Sequence, residues 1–231
     1  MDRWIKASLE FASFFSYRVP NTSPQFALAS PVPSPAAVKL ALVDAAIKMS
    51  GLVSRGEEIF NVLKKVPVEI NVPNRVTVMR YFIKRLKPNE GGLIESTAVR
   101  EYCHFNEPLS LFIKVPDISL GEVKQLFFYL GRLGTTDSLL WCDIVEECEP
   151  DFTLSWVNLE EFSLPISGDN LERRVIVTLN DIDESATFDC INPYSSRGGR
   201  RFVKITKMLP LVIEEKAENW VRYQRKPFVL E

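Results

Sequence analysis

Residues 74–104 read NRVTVMRYFIKRLKPNEGGLIESTAVREYCH, and this stretch frames the reading of the whole chain. Its first arm, Val76 to Leu86, sets Val76, Val78, Phe82 and Leu86 among Arg80, Lys84 and Arg85. Apolar residues at alternate positions mark a strand, because successive strand side chains leave opposite faces. Pro88-Asn89-Glu90-Gly91-Gly92 follows, with glycines free to adopt the positive φ that tight hairpins demand. The return arm runs through Ala98-Val99-Arg100-Glu101-Tyr102-Cys103 toward the apolar Leu109 to Val115. The tip is too polar for a core. The pattern therefore predicts a hairpin that projects, with basic side chains on its arms.

Upstream, Ile5 to Phe14 alternates as an opening strand, with Ile5, Leu9 and Phe11 apolar. A long Pro/Ser-rich loop, Ser16 to Ser34, carries Arg18; loops of that length inside a domain are usually functional or partner-bound. A helix is then strongly signposted. Ser34 suits the N-cap, Pro35 the first helical position and Gly51 the C-terminal stop, while Val38, Leu42, Ala45 and Met49 recur on one face. A shorter helix over Gly56 to Lys64 and a strand over Val66 to Val72 lead into the hairpin. Beyond it, Ser119 with Glu122 three residues on has the form of a capping box for a third helix reaching Leu130. A glycine-containing turn and a strand over Leu139 to Val145 complete the series.

This order, β-α-(α)-β-β-α-β, is that of a split βαβ unit with an enlarged hairpin. The expected architecture is α+β: a ferredoxin-like (RRM-type) domain over residues 1–148, with the extended β-hairpin thumb at 74–104. A smaller β-rich portion over 149–231 packs on it, with strands at Val175–Leu179, Phe202–Ile205 and Leu209–Ile213.

Composition narrows the function. The chain has 231 residues, 46% of them hydrophobic, with no apolar run of the ~20 residues that spans a bilayer and no signal-peptide pattern, so a cytoplasmic protein is expected. Four cysteines without C-x-x-C spacing read as reduced structural thiols, and a single histidine, His104, argues against a zinc site. The net charge of −2 conceals segregation. Arg75, Arg80, Lys84, Arg85, Lys87 and Arg100 face only Glu90 and Glu95, and Arg197, Arg200, Arg201, Lys204 and Lys207 face no acid between them. Between Asp143 and Asp189, thirteen carboxylates face two arginines. Segregated basic stretches can hold a phosphate backbone locally, although each alone also fits a solvated surface.

Catalytic patterns are sparse. There is no Walker A motif, no G-x-G-x-x-G and no G-x-S-x-G, so no nucleotide, cofactor or serine-hydrolase site is expected. Tyr102 beside His104 suggests a general acid and base for RNA cleavage, against the plainer reading of a structural histidine. Three features favour an RNA grip. The helix start at Ser34, with Lys39 behind it, offers free N–H groups to a phosphate; its plain reading is an ordinary cap. The Gly131–Ser138 turn joins Arg132, Gly134 and Thr135, and is otherwise a helix C-cap. The hairpin mixes Arg75, Arg80, Lys84, Arg85 and Arg100 with Tyr81, Phe82 and Tyr102, the combination that holds phosphates and stacks unpaired bases.

Leu9-Glu10-Phe11-Ala12-Ser13-Phe14-Phe15, Pro33-Ser34-Pro35-Ala36-Ala37-Val38-Lys39-Leu40-Ala41-Leu42, Arg100-Glu101-Tyr102 with Phe105 to Ile113, and Gly131-Arg132-Leu133-Gly134-Thr135-Thr136-Asp137-Ser138-Leu139 occur in an order that resembles the CRISPR-associated Cas-five family. The resemblance covers roughly residues 5–145. It departs at Leu40, where members commonly carry glycine. It implies a non-catalytic subunit of a Cascade-type surveillance complex that caps the 5′ handle of the guide RNA and bridges the large subunit to the backbone subunits, with the thumb near the target nucleic acid. The implied RNA contacts are Arg18, Ser34, Lys39, Arg75, Arg80, Lys84, Arg85, Arg100, Tyr102, Arg132, Gly134, Thr135, Arg200 and Arg201. Relatives that cut the guide precursor use a Tyr, Lys and His set; this chain has no Lys-His pair. A metal-independent endoribonuclease of the same fold and a protein-only scaffold stand as alternatives.

Overall fold

Ile5, Ala7 and Leu9, each wholly buried, alternate with partly exposed Lys6 and Ser8 in the first strand, β1 (Asp2–Phe11). The computed structural model describes residues 1–23, 25–159, 174–191 and 201–229. After β1 come β2 (Phe26–Ala27), α1 (Pro35–Ser50), α2 (Val53–Leu63), β3 (Val68–Asn71), β4 (Arg75–Asn89), β5 (Gly92–Phe105) and β6 (Leu109–Pro116). A 3₁₀ turn (Asp117–Ser119) opens α3 (Leu120–Phe128), followed by β7 (Leu140–Glu147), β8 (Val157–Asn158), β9 (Arg174–Ile182), α4 (Phe188–Ile191), β10 (Phe202–Lys216) and β11 (Trp220–Arg225). The protein is a mixed α+β structure dominated by strands.

Two sheets organise it. The first has the order β3-β6-β1-β7, with every neighbouring pair antiparallel. Numbered as the chain enters this sheet, its strands lie 2-3-1-4, with α1 and α2 between the first and second and α3 between the third and fourth. Ile5, Leu9, Leu111, Ile113, Leu42, Leu126 and Phe127 from strands and helices share one apolar cluster. The second sheet runs β2-β5-β4-β11-β10-β8, with β9 also on β10. The base of the 74–104 hairpin is thus joined to the C-terminal span, from Trp220↔Met79 to Gln224↔Arg75.

The helix signals are met unevenly. The Ser34 hydroxyl accepts from the Ala37 N–H at 3.1 Å, and Gly51 ends α1 at φ +72° with its N–H donating to the Ile47 carbonyl at 2.7 Å. The capping box at Ser119 does not form. Ser119 sits at φ −104°, ψ −1°, not the extended geometry of a side-chain cap, and the 3₁₀ turn leads into α3 instead. Glu122 is ion-paired with Arg55.

The two strands expected over 202–213 are one, β10, continuous through Pro210. Thr206, Lys207 and Met208, between the two expected strands, carry the ladder to β9 without a break, and Pro210, which has no N–H for a ladder, lies where the pairing changes. At this point β10 exchanges partners: the β9 register shifts after Leu209, and pairing with β11 begins at Leu211. The Ser16–Ser34 loop is held by its own chain. Val19 N–H donates to Leu28 O and Ser30 N–H to Tyr17 O, β2 pairs in parallel with β5, and Ser30 to Ser34 are buried. The four cysteines are free thiols. Among the described residues, no helix is long and apolar enough to cross a membrane.

Candidate nucleic-acid interface

β4 and β5 pair without interruption from Val76↔Phe105 to Asn89↔Gly92. The β11 ladder reaches only Met79, with Asn219 O accepting the Arg80 N–H, and β2 reaches only Val99. At roughly 3.3 Å per residue, the part beyond Tyr81 extends about 26 Å past the sheet.

Cross-strand partners share a face, so the register sorts the side chains. One face carries Thr77 with His104, Met79 with Tyr102, Tyr81 with Arg100 and Lys87 with Ile94. Tyr81 and Tyr102 meet edge-on at 5.8 Å between ring centres, and Phe14 lies 6.3 Å from Tyr102 and 6.2 Å from His104. This face holds Lys87 and Arg100 and, among the described residues of the two strands, no carboxylate. The opposite face carries Arg80 with Glu101, Phe82 with Val99, Leu86 with Glu95 and Pro88 with Leu93. There Arg80 pairs with Glu101 at 2.8 Å, and Lys84 with Glu95 at 3.6 Å.

Glu101 is not among the RNA contacts expected from sequence, and it is the junction of the site. Its buried carboxylate accepts from Arg80 and, at 3.0 Å, from the Ala29 N–H, so it fastens the Arg18 loop to the hairpin. Strand alternation holds the missed signal: position 101 shares a face with the buried Val99 and Cys103, where a carboxylate needs partners. Burial, reinforced by Glu101, pushes the Cys103 thiol far up and leaves it inert; burial and Glu101 also raise the Tyr223 hydroxyl.

The glycine turn packs inward. Gly134 has φ +93°, and a Cβ there would lie 2.4 Å from the Ser16 carbonyl oxygen. The Thr135 N–H donates to that oxygen at 2.9 Å, and the Ser16 N–H donates to Ser138 Oγ at 2.9 Å. The Ser16 hydroxyl in turn donates to the Glu101 carbonyl at 2.9 Å. The close backbone approach expected at Gly134 and Thr135 is therefore made to the protein's own first strand exit.

The remaining residues divide. Arg100 and Tyr102 lie on the aromatic face of the hairpin and Arg80 and Lys84 on the opposite face, with Arg85 opposite Ser96 in the ladder. Arg18 is exposed in the adjoining loop, bridged to Ala29, and Arg132 is exposed in the glycine turn, bridged to Leu139. Arg75 stands at the hairpin base, paired with Glu214 at 2.9 Å. Two assignments are corrected. Lys39 is 1% exposed and salt-bridged to Asp181 at 2.7 Å, because it points from α1 toward β9 and not to solvent. Ser34 is wholly buried and its hydroxyl is engaged in the cap, so the α1 start is no open phosphate seat. Arg201 is exposed at the head of β10, away from the hairpin, and Arg200 lies outside the described residues. Among the described residues, no three His, Cys, Asp or Glu side chains converge as a metal site.

No protein-family model matches the chain. A curated relative from Archaeoglobus fulgidus, the CRISPR-associated protein Cas5, is 36% identical over 225 residues, spanning 94% of this chain and 96% of its own length. Among solved structures, a CRISPR protein from Archaeoglobus fulgidus is similar with a TM-score of 0.49 at 12% identity, covering 97% of this chain and 92% of that one. A chain of a CRISPR RNA-guided surveillance complex gives a TM-score of 0.42 at 14% identity, covering 98% and 91%. These structural likenesses are distant, and the assignment rests on the sequence relative. On that identity and coverage, the chain belongs to the CRISPR-associated Cas5 family.

Proposed function

We propose that this chain is a non-catalytic effector subunit of a CRISPR surveillance complex that caps the 5′ handle of the guide RNA. In the same proposal it bridges the large subunit to the backbone subunits in the cytoplasm, and its hairpin lies near the target nucleic acid. The 2-3-1-4 sheet with its helices supports reading the first sheet as a ferredoxin-like unit. The observation that carries the proposal is the hairpin face on which Tyr81, Tyr102 and Phe14 cluster beside Arg100, with Lys87 further out. Aromatic faces stack unpaired bases at about 1–3 kcal/mol each, and cations hold the phosphates between them. Arg18 and Arg132 are exposed on segments fastened at Glu101 and Ser16.

A non-catalytic role is favoured by the surroundings of His104. Its cross-strand partner is Thr77, and Tyr102 shares its face against Phe14. The nearest lysine on that face, Lys87, lies far out along the hairpin, so no Tyr, Lys and His set gathers around one phosphate there. The test is to purify the assembled complex and sequence its small RNAs. RNAs sharing one constant 5′ end are expected; their absence from an intact complex would refute handle capping. Cleavage of a repeat RNA by the purified chain, lost in His104→Ala, would install the endoribonuclease in its place.

A further inference from the structure

The hairpin leaves its sheet at one cross-strand pair, Arg80 with Glu101. On the β4 side, support from β11 ends at Met79 and the Arg80 N–H. On the β5 side, support comes from the Ser16–Ser34 loop and the residue before it. The Val99 N–H donates to the Gln25 carbonyl at 2.7 Å, β2 pairs with Val99 and Arg100, and Phe15 exchanges two backbone hydrogen bonds with Cys103. Glu101 ties the two sides together. One carboxylate oxygen accepts from the Arg80 guanidinium and the other from the Ala29 N–H, and Ala29 is the bridge partner of Arg18. The Ser16 hydroxyl also holds the Glu101 carbonyl. This neck carries a long lever. A two-stranded ribbon is marginal in water, and this one runs about 26 Å outward, so a tilt of roughly 10° at the neck moves its far end about 4–5 Å.

Resting on the reading of the aromatic face as an RNA surface, we infer that Glu101 is a positioning residue for RNA. It clamps the Ser16–Ser34 loop against the neck as a brace, and so fixes the pose in which Tyr81, Tyr102 and Arg100 meet the RNA. Glu101 stands between Arg100 and Tyr102 in the strand, yet its side chain leaves the opposite face and has no place among their contacts. A pair serving only to neutralise Arg80 fits less well. Arg80 keeps 50% of its side chain exposed and needs no partner, whereas Glu101 keeps 11% and is bonded to the loop backbone as well as to Arg80. The sign of the effect separates the two roles. Glu101 is an acid beside an RNA surface, and electrostatics alone would make its removal strengthen RNA binding. Loss of a brace weakens binding, because the RNA must then select its pose from a broader set. The phosphates neutralised stay the same, and the salt dependence with them.

The test uses the full chain and a synthetic RNA carrying the 5′ handle. In free Glu101→Ala, hydrogen exchange at the Val19, Ala29 and Val99 amides is expected to quicken about tenfold, while amides of β1 and β6 keep their rates. RNA affinity is expected to fall about tenfold, as for a pose held roughly a tenth of the time, at an unchanged salt slope. Glu101→Gln keeps an oxygen for the Ala29 N–H and should bind within about threefold of the parent chain. Ser16→Ala removes a tie without altering any charge and is expected to weaken binding by about two- to threefold. Unchanged exchange in Glu101→Ala, or RNA binding as tight as the parent's or tighter, would overturn the inference. So would equal losses in Glu101→Ala and Glu101→Gln, which would place the effect in the Arg80 pair. If Glu101→Ala does not fold, unchanged affinity in Ser16→Ala overturns it instead. Tyr102→Ala reports separately on the RNA reading. Affinity equal to the parent's would remove the aromatic face as an RNA surface, while quickened exchange in Glu101→Ala would still uphold the brace.

Discussion

Replacing Gly134 with alanine separates two roles that a glycine turn can play. If Gly134 serves approach to RNA, Gly134→Ala lowers affinity and leaves the free protein's stability intact. The structure gives the opposite order of effects. At φ +93° an L-residue carries strain of about 1–2 kcal/mol. The added methyl meets the Ser16 carbonyl oxygen at 2.4 Å, a backbone atom that no rotamer change moves. Overpacking of that kind costs roughly 1–3 kcal/mol, so the total is about 2–5 kcal/mol, a large share of the ~5–15 kcal/mol that keeps a domain folded. Urea unfolding measures it directly, with an unchanged denaturant slope confirming a comparable transition. Gly131→Ala is the control, since nothing lies within 4 Å of a Cβ there and its φ is not positive; a change within about 0.5 kcal/mol is expected. A loss of less than about 1 kcal/mol in Gly134→Ala, accompanied by weaker RNA binding, would refute the inward role.

Three other substitutions probe the framework. Ser34→Ala removes the α1 cap and should cost about 1 kcal/mol in urea unfolding; a cost only in RNA affinity would restore the phosphate seat. Lys39→Ala strands Asp181, which keeps 26% of its side chain exposed, and should cost on the order of 2–3 kcal/mol, relieved in part by adding Asp181→Asn. Equal stability with reduced RNA binding would contradict the buried assignment. Glu69 is raised from its ordinary value near 4.5 mainly by burial, opposed by the hydroxyl of Ser155. Its stabilising contribution is therefore fully present below that unfolded value and is lost as pH rises through the higher folded one. Glu69→Gln, which mimics the protonated acid, should gain stability relative to the parent chain as pH rises from about 4.5; parallel pH profiles would disprove the linkage.

Much of the fold was legible because local signals agreed with the tertiary solution. Ser34, Pro35 and Gly51 bracket α1 as read, and the alternation from Val76 to Leu86 is a true strand. The misreadings have specific causes. Ser119 and Glu122 match a capping pattern in type and spacing, but a preceding 3₁₀ turn sets a backbone that cannot use it. The strands expected over Phe202–Ile205 and Leu209–Ile213 are one because Thr206, Lys207 and Met208 stay paired with β9 until β10 changes partners around Pro210. The site was half visible. The cations of the hairpin could be named from sequence, yet their division between an aromatic face and a self-neutralised face depends on register, which pairs Arg80 with Glu101 and Tyr81 with Arg100. Lys39 resembled a binding residue because its partner, Asp181, lies 142 residues away in the sequence.

The salt dependence of binding to an RNA carrying the 5′ handle tests the central claim most directly. If Lys87 and Arg100 hold phosphates on the aromatic face, Lys87→Ala with Arg100→Ala should lower the slope of log affinity against log salt by about 1.4, near 0.7 for each single-strand phosphate no longer neutralised. An unchanged slope and affinity in that double variant would contradict RNA binding by this face.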